Sequence, residues 1–195
     1  FTGELDLIVA DGDSDDGSPD ILRAACAEHD VSLTVVDNPR RIVPTGLNEC
    51  LRHTNADLIV RMDCHSSYPA DYVRRCVVAA EETGAWNVGG VVIPEGTTPM
   101  ERAVACAMDS PFGGIGWTRH ADGTERVEVD TVTFGAFRPQ AFREAGMFDE
   151  DFVRNQDDEF NLRLRRAGGR IVLDPTISVR YTPRGTWRGV FRQYY

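Results

Sequence analysis

The chain has 195 residues, 42% of them hydrophobic and 27% charged, an ordinary balance for a globular protein with one sizeable core. Its formal net charge of −10 argues against non-specific nucleic-acid binding, which needs a basic surface. It leaves phosphorylated substrates open, because a divalent cation bridges carboxylates to phosphates. The five cysteines (Cys26, Cys50, Cys64, Cys76 and Cys106) include no Cys-x-x-Cys pair, which argues against a disulfide framework or a zinc site and for a reducing compartment.

In chain order, residues 5–10 read as a buried strand that ends in an acidic loop. Ser18 then looks like an N-cap with Pro19 at the first helical position, and a helix is expected to residue 28. A strand over 32–36 and a helix over 44–53 follow, the helix carrying Leu47 and Leu51 at i, i+4 spacing. Residues 57–62 read as the next strand, 69–82 as a helix and 88–93 as a strand. This alternation predicts an α/β fold with a mostly parallel sheet flanked by helices. Beyond it, 100–108 reads as a helix and 109–123, rich in glycine and polar residues, as a long loop suited to a lid. A strand is expected over 127–137 and a helix over 139–145. The helix over 157–167 has Phe160, Leu164 and Ala167 on one face, and Gly168-Gly169 stops it. Strands at 170–173 and 177–181 and an amphipathic helix from Thr186 complete the chain. No run of about 18 apolar residues is present to cross a membrane, and there is no signal-peptide pattern. With no Met before Phe1 and a closing Gln193-Tyr194-Tyr195 inside an expected helix, both ends are expected to be cut.

Three acidic clusters stand out: residues 10–17, 61–65 and 155–160. The first two follow expected strands, and in open α/β sheets ligands bind beyond the carboxyl ends of strands. Asp11, Asp13 and Asp15 match the first half of a calcium loop, but the sixth position is Asp16 rather than Gly and the twelfth is Leu22 rather than Glu. A polar turn capping the next helix competes with a nucleoside site, where Asp11 would accept hydrogen bonds from base or ribose. Asp63 and His65, two apart on an extended segment, face one way and suit a divalent cation, with imidazole better tolerated by Mn²⁺ than by Mg²⁺. The alternative is a capping Asp beside a surface His. Asp157 and Asp158 open a helix and so complement its dipole. Three acids in a row exceed that need, which points to a general base. At the carboxyl end Arg184, Arg188 and Arg192 recur every four residues, while Trp187, Val190, Phe191 and Tyr194 share a face. That segment suits a membrane-surface helix, an anionic acceptor site or a helix packed on the core.

In this order the clusters resemble family 2 glycosyltransferases of GT-A fold, a Rossmann-like nucleotide-diphospho-sugar transferase fold. Residues 11–18 (Asp-Gly-Asp-Ser-Asp-Asp-Gly-Ser) look like that family's nucleotide loop, and Asp63-Cys64-His65 stands at its Asp-x-Asp metal motif with His65 for the second Asp. Gln156-Asp157-Asp158-Glu159-Phe160 resembles its Glu-Asp-x-Asp/Glu-Leu motif with Gln156 for the Glu. Residues 134–138 and 146–150 resemble its acceptor-side strand and Gly-x-Phe-Asp-Glu turn. Residues 37–44, 110–113, 153–161 and 192–195 are similar to bacterial succinoglycan-type exopolysaccharide glycosyltransferases.

The resemblance implies a single catalytic domain over 1–195, a first strand before Phe1 and membrane helices after Tyr195. It implies inverting transfer from a nucleoside-diphosphate sugar, with UDP-sugar as donor and a saccharide or polyprenyl-diphosphate-linked acceptor at the cytoplasmic face of the bacterial inner membrane. Asp157 would be the base, Asp11, Asp13, Arg41 and Asp63 would bind the donor, and Asp63 with His65 would hold Mn²⁺ or Mg²⁺. Gly135, Ala136, Gln156 and Asp158 would face the acceptor, and Arg192 and Gln193 an acceptor phosphate or the membrane surface. Two rivals stand beside this reading. A sugar nucleotidyltransferase would want a Gly-rich, Lys/Arg-bearing triphosphate loop, which is not found. A non-catalytic sugar- or nucleotide-binding module would not need the base at Asp157.

Overall fold

The computed structural model describes residues 3–110 and 123–194, with side chains at the carboxyl end as far as Phe191. From the amino end come β1 (Asp6–Asp11), α1 (Ser18–Glu28), β2 (Ser32–Asp37), α2 (Val43–Arg52), β3 (Ile59–Val60), β4 (Ser66–Ser67), α3 (Tyr72–Thr83), β5 (Asn87–Pro94) and α4 (Pro99–Asp109). The second half holds β6 (Val127–Glu128), β7 (Ala136–Phe137), α5 (Pro139–Ala145), α6 (Gln156–Arg166), β8 (Ile171–Tyr181) and α7 (Trp187–Tyr194).

The long ladders are parallel: β1 on β2 from Asp6↔Ser32 to Asp11↔Asp37, and β5 on β8. The two-residue ladders are antiparallel. β1 and β2 form a sheet of their own, while the others run in the order β3-β7-β5-β8-β4, with β6 also on β8. α1 and α2 pack on the small sheet and α3 on the large one, giving the expected helix-flanked α/β arrangement.

β5 is buried from Asn87 through Val92, as befits a strand covered on both faces. Its Gly90 lies so close to β8 that a Cβ would stand 2.0 Å from the Ile177 carbonyl oxygen. The register shifts between Gly89 and Val91, opposite Asp174-Pro175-Thr176, where proline is tolerated because a bulge needs no ladder donor. Buried Asp174 organises this bulge, accepting from Thr176 N (2.8 Å) and Oγ1 (2.6 Å) and from Arg126 Nε (2.6 Å). Burial opposes its charge, but Thr176 and Arg126 together hold its carboxyl below the ordinary value. One core cluster lies between α3, β5 and β8, and a second, rich in phenylalanine, between β7, α5 and α6. In the second, Phe148 and Phe160 have ring centroids 4.8 Å apart.

The structure corrects several local expectations. Strand pairing in 57–62 is confined to β3, extended by Arg61 N donating to Gly135 O at 3.0 Å. The strand expected over 127–137 is two short ones, because β6 pairs with β8 whereas β7 lies between β3 and β5, so the chain must cross the sheet between them. Conversely, the two strands expected at 170–173 and 177–181 are one strand with a bulge. α1 is entered through Gly17 in left-handed conformation (φ 82°), and Ser18 offers no side-chain cap. The Asp16 carboxylate instead accepts from Ser18 N at 3.0 Å. Ala167 is exposed at the end of α6, whereas Phe160 and Leu164 are fully buried, and Gly168 (φ 92°) turns the chain away. Asp109 belongs to α4, and the lid reading of 109–123 falls mainly on residues 111–122, outside the described residues.

Candidate active site

Carboxylates gather at the carboxyl ends of β1 and β3 and the amino end of α6. At the end of β1, Asp11 pairs in register with Asp37 of β2, and Asp11 O accepts from Asn38 N at 2.7 Å. The buried Asn38 amide donates to Ile42 O (3.0 Å) and accepts from Thr45 Oγ1 (2.7 Å), fixing the turn that carries Arg41. Arg41, at φ 53°, places Nη2 2.5 Å from Asp13 Oδ2, and Asp13 is itself left-handed at φ 65°. The Ser14 hydroxyl and backbone N–H hold the Asp11 carboxyl below its ordinary value. Asp11, Asp13 and Arg41 thus form one polar rim, open to solvent.

The second group centres on a buried arginine that was not anticipated from sequence, with two half-buried carboxylates around it. Arg61, 7% exposed, forks onto Asp63, with Nε on Oδ1 and Nη2 on Oδ2, both at 3.1 Å. Its Nη1 donates to Asp157 Oδ1, and its guanidinium lies 5.8 Å from the Phe134 ring centroid. Burial works against its charge, but Asp157 and Asp63 more than offset that and push its pKa up. For Asp157, burial is the dominant effect and raises its pKa to about 6. Arg61 lowers it, while Asp63 and Asp158 push it further up. A carboxylate poised near neutrality suits a general base.

Asp63 N donates to Tyr68 Oη at 2.7 Å, and Tyr72 Oη donates to Phe134 O at 2.9 Å, so one wall is braced by the segment leading into α3 and the other by the first residue of that helix. Phe134 sits at φ 52°, one residue before Gly135. Gly135 is required here, because a Cβ would stand 2.2 Å from Asn87 Oδ1. Ala136 pairs with both Val60 and Val88. Gln156 is buried in the first turn of α6, which follows Asn155 at φ 57°. Asp158 is exposed and accepts from Thr131 Oγ1 at 2.8 Å. Thr131 in turn accepts from Asn161 Nδ2, whose Oδ1 takes Asn87 Nδ2, each at 2.8 Å.

The structure therefore joins Asp63, Asp157 and Gly135 through Arg61. His65 is exposed, its ring edge-on to Tyr181 with centroids 5.3 Å apart. Among the described residues no three His, Cys, Asp or Glu side chains converge on a metal position. Arg163, given no role from sequence, is structural: it pairs with Glu159 (2.5 Å), donates to Ala145 O and Met147 O, and lies 5.2 Å from the Phe160 ring centroid. The side chains of Arg192 and Gln193 lie outside the described ones, whereas Trp187 and Phe191 on α7 are 79% and 65% exposed. Among the described residues no helix is long and apolar enough to cross a membrane. The open pocket lined by Arg165, Arg166 and Arg170 lies at the far end of α6 from the carboxylates, where basic side chains complement the helix dipole.

The fold is that of GT-A glycosyltransferases. It matches S. aureus TarS 1-349 in complex with UDP-GlcNAc (TM-score 0.66, 14% identity, 94% of this chain and 51% of that one). It also matches GalNAc-T7 with UDP, GalNAc and Mn²⁺ (TM-score 0.63, 14% identity, 93% and 38%). The sequence profile of Glycosyl transferase family 2 matches residues 2–145, and the chain belongs to that family. It is 34% identical over 191 residues to succinoglycan biosynthesis protein ExoA of Rhizobium meliloti (strain 1021), covering 97% of this chain. It is 23% identical over 195 residues to the dolichyl N-acetyl-alpha-D-glucosaminyl phosphate 3-beta-D-2,3-diacetamido-2,3-dideoxy-beta-D-glucuronosyltransferase of Methanococcus voltae, covering 96% of this chain. The chain spans 57% and 60% of the lengths of these two curated relatives. The profile match ends before α6, so the placing of Asp157 is supplied by geometry.

Proposed function

We propose that this chain is the catalytic domain of an inverting glycosyltransferase that moves a sugar from a UDP-sugar to a saccharide or polyprenyl-diphosphate-linked acceptor in exopolysaccharide synthesis. The observation that carries the reading is the half-buried Asp157, raised toward neutrality and set across the buried Arg61 from Asp63. The likeness to ExoA supports the pathway class, and the UDP-sugar in a structural neighbour supports the donor class.

In this mechanism Asp11, Asp13 and Arg41 bind the nucleoside diphosphate beyond β1. The Asp157 carboxylate takes the proton of the acceptor hydroxyl. The acceptor oxygen attacks the anomeric carbon from the face opposite the diphosphate, a new C–O bond forms, and the bond to the diphosphate breaks with its electron pair leaving on UDP. Gly135, Ala136, Gln156 and Asp158 border the acceptor side. In this reading Asp63 and His65 would hold a divalent cation whose remaining positions would be filled by the diphosphate and water, a donor set of carboxylate oxygen and imidazole nitrogen that suits Mn²⁺. When bound, Mn²⁺ or Mg²⁺ stabilises the charge that develops on the leaving diphosphate.

The exposed aromatic and arginine-bearing α7 suits contact with the cytoplasmic face of the inner membrane, where a lipid-linked acceptor is presented. The experiment is UDP release from a panel of UDP-sugars with Mn²⁺ or Mg²⁺, with a polyprenyl-diphosphate-linked saccharide as acceptor. Cation-dependent release that is lost in Asp157→Asn supports the reading. UDP binding without release from any donor overturns it in favour of a binding module, and pyrophosphate release from a nucleoside triphosphate would identify a nucleotidyltransferase.

A further inference from the structure

We propose that Arg61 is a positioning residue for the transfer: one buried guanidinium holds the Asp157 base and the donor-side Asp63 carboxylate in a fixed mutual placement. The proposal rests on the function proposed above for Asp157 and Asp63. Three features carry it. First, a charge as buried as Arg61, with its side chain 6% exposed, costs several kcal/mol unless paired in good geometry. Here all of its named side-chain pairings go to these two carboxylates. Second, the planar fork fits both oxygens of Asp63 and leaves Nη1 directed at Asp157, which a point-charge ammonium cannot reproduce. Third, the stem is anchored independently of either acid: Arg61 N donates to Gly135 O at 3.0 Å, and the guanidinium lies on the Phe134 ring. Phe134 is itself held at positive φ, with its carbonyl pinned by Tyr72. Strain concentrated beside a rigid charged cluster is where pre-organisation is expected.

Arg61 thereby does what neither acid can do alone. Asp157 is faced by the like charges of Asp63, across the guanidinium, and of Asp158 on its own helix. Arg61 is the group that keeps it usable as an anion and aims one of its oxygens.

The test compares Arg61→Lys, which keeps the charge without the fork, with Arg61→Met, which keeps much of the stem volume and loses both. The first readout needs no ligand: the ¹³C carboxyl resonance of Asp157, assigned with Asp157→Asn, is followed against pH. The midpoint is expected to rise by about one pH unit or more in Arg61→Met, with Arg61→Lys in between. The second readout is UDP release from the UDP-sugar panel with Mn²⁺. Arg61→Lys is expected to lose about tenfold or more in kcat with the donor KM within about threefold.

A folded Arg61→Met with the wild-type midpoint overturns the proposal. If Arg61→Met does not fold, an Arg61→Lys with both midpoint and kcat at wild-type values overturns it. A wild type that releases no UDP refutes the proposed function, and the carboxyl titration still decides whether Arg61 holds Asp157.

Discussion

Arg61 donates to Asp157 across 96 residues of chain, from the end of β3 to the first turn of α6. That contact ties the part of the chain matched by the family profile to the helix beyond it. It also explains how a carboxylate at a helix start, where charge complementarity alone would suffice, comes to be half-buried: the guanidinium supplies a partner that water would otherwise supply.

Asp157→Asn keeps the shape of the side chain and removes its capacity to accept a proton. UDP release should fall by about 10²–10⁴-fold, the usual contribution of a positioned base. UDP affinity, measured by calorimetry, should persist because Asp11, Asp13 and Arg41 are untouched. An Asn variant within threefold of wild type would remove Asp157 from the mechanism.

The pH dependence follows from the pKa of about 6 at Asp157, raised from an ordinary 3.8. The base works only as the anion, so kcat/KM should climb about tenfold per pH unit below 6 and level off above it. Stability runs the other way. Between about 4 and 6 the native state holds this proton more tightly than the unfolded chain, so the contribution of Asp157 to stability falls as pH rises through that window and is constant above it. Urea titrations of wild type and Asp157→Asn from pH 4 to 7 read the second effect, and a difference independent of pH would contradict the assignment.

The cation reading predicts separate behaviour for its two side chains. His65 is exposed and packs edge-on to Tyr181, so His65→Ala should weaken the Mn²⁺ dependence of UDP release while leaving thermal stability nearly unchanged. Asp63→Asn should do both kinds of damage, since it also loosens Arg61. A Mn²⁺ titration of UDP release alongside a melting curve separates them. Equal Mn²⁺ dependence in wild type and His65→Ala would take His65 out of the cation site.

The alternation of apolar runs and helical periods made β1, β2 and α1 to α3 legible in the sequence, because buried strands and amphipathic helices leave short-range signals, whereas the two-residue β4 leaves none. The acidic clusters were legible for the same reason: they interrupt those runs. What stayed hidden depends on contacts distant in sequence. An arginine two residues before Asp63 carries no local mark of burial, and its two partners converge only when β3 and α6 meet. Nor could the run over 127–137 announce that it crosses the sheet, since its composition suits one strand while β6 and β7 find partners on different sides of β5 and β8. The bulge at Asp174-Pro175-Thr176 failed in the opposite direction. Two strands are expected on either side of Pro175, but buried Asp174 holds the two halves in line.

Gly135 tests whether the acceptor-side wall is as tightly built as its contacts imply. A Cβ there would stand 2.2 Å from Asn87 Oδ1 and 2.8 Å from Phe137 Cζ. Neither can yield freely: Asn87 is fully buried and donates to Asn161, and Phe137 is packed among Phe142, Phe148 and Phe160. Gly135→Ala should therefore cost about 1–3 kcal/mol in urea unfolding, the usual penalty of overpacking. Because Gly135 O also accepts from Arg61 N, the backbone shift should reach the base and lower UDP release as well. Asn87→Ala makes room for the added methyl group, so the double variant should lose less than the sum of the single ones, with a coupling of about 1 kcal/mol. Additive losses would mean that the wall relaxes elsewhere and that the glycine is not needed for the approach of Asn87.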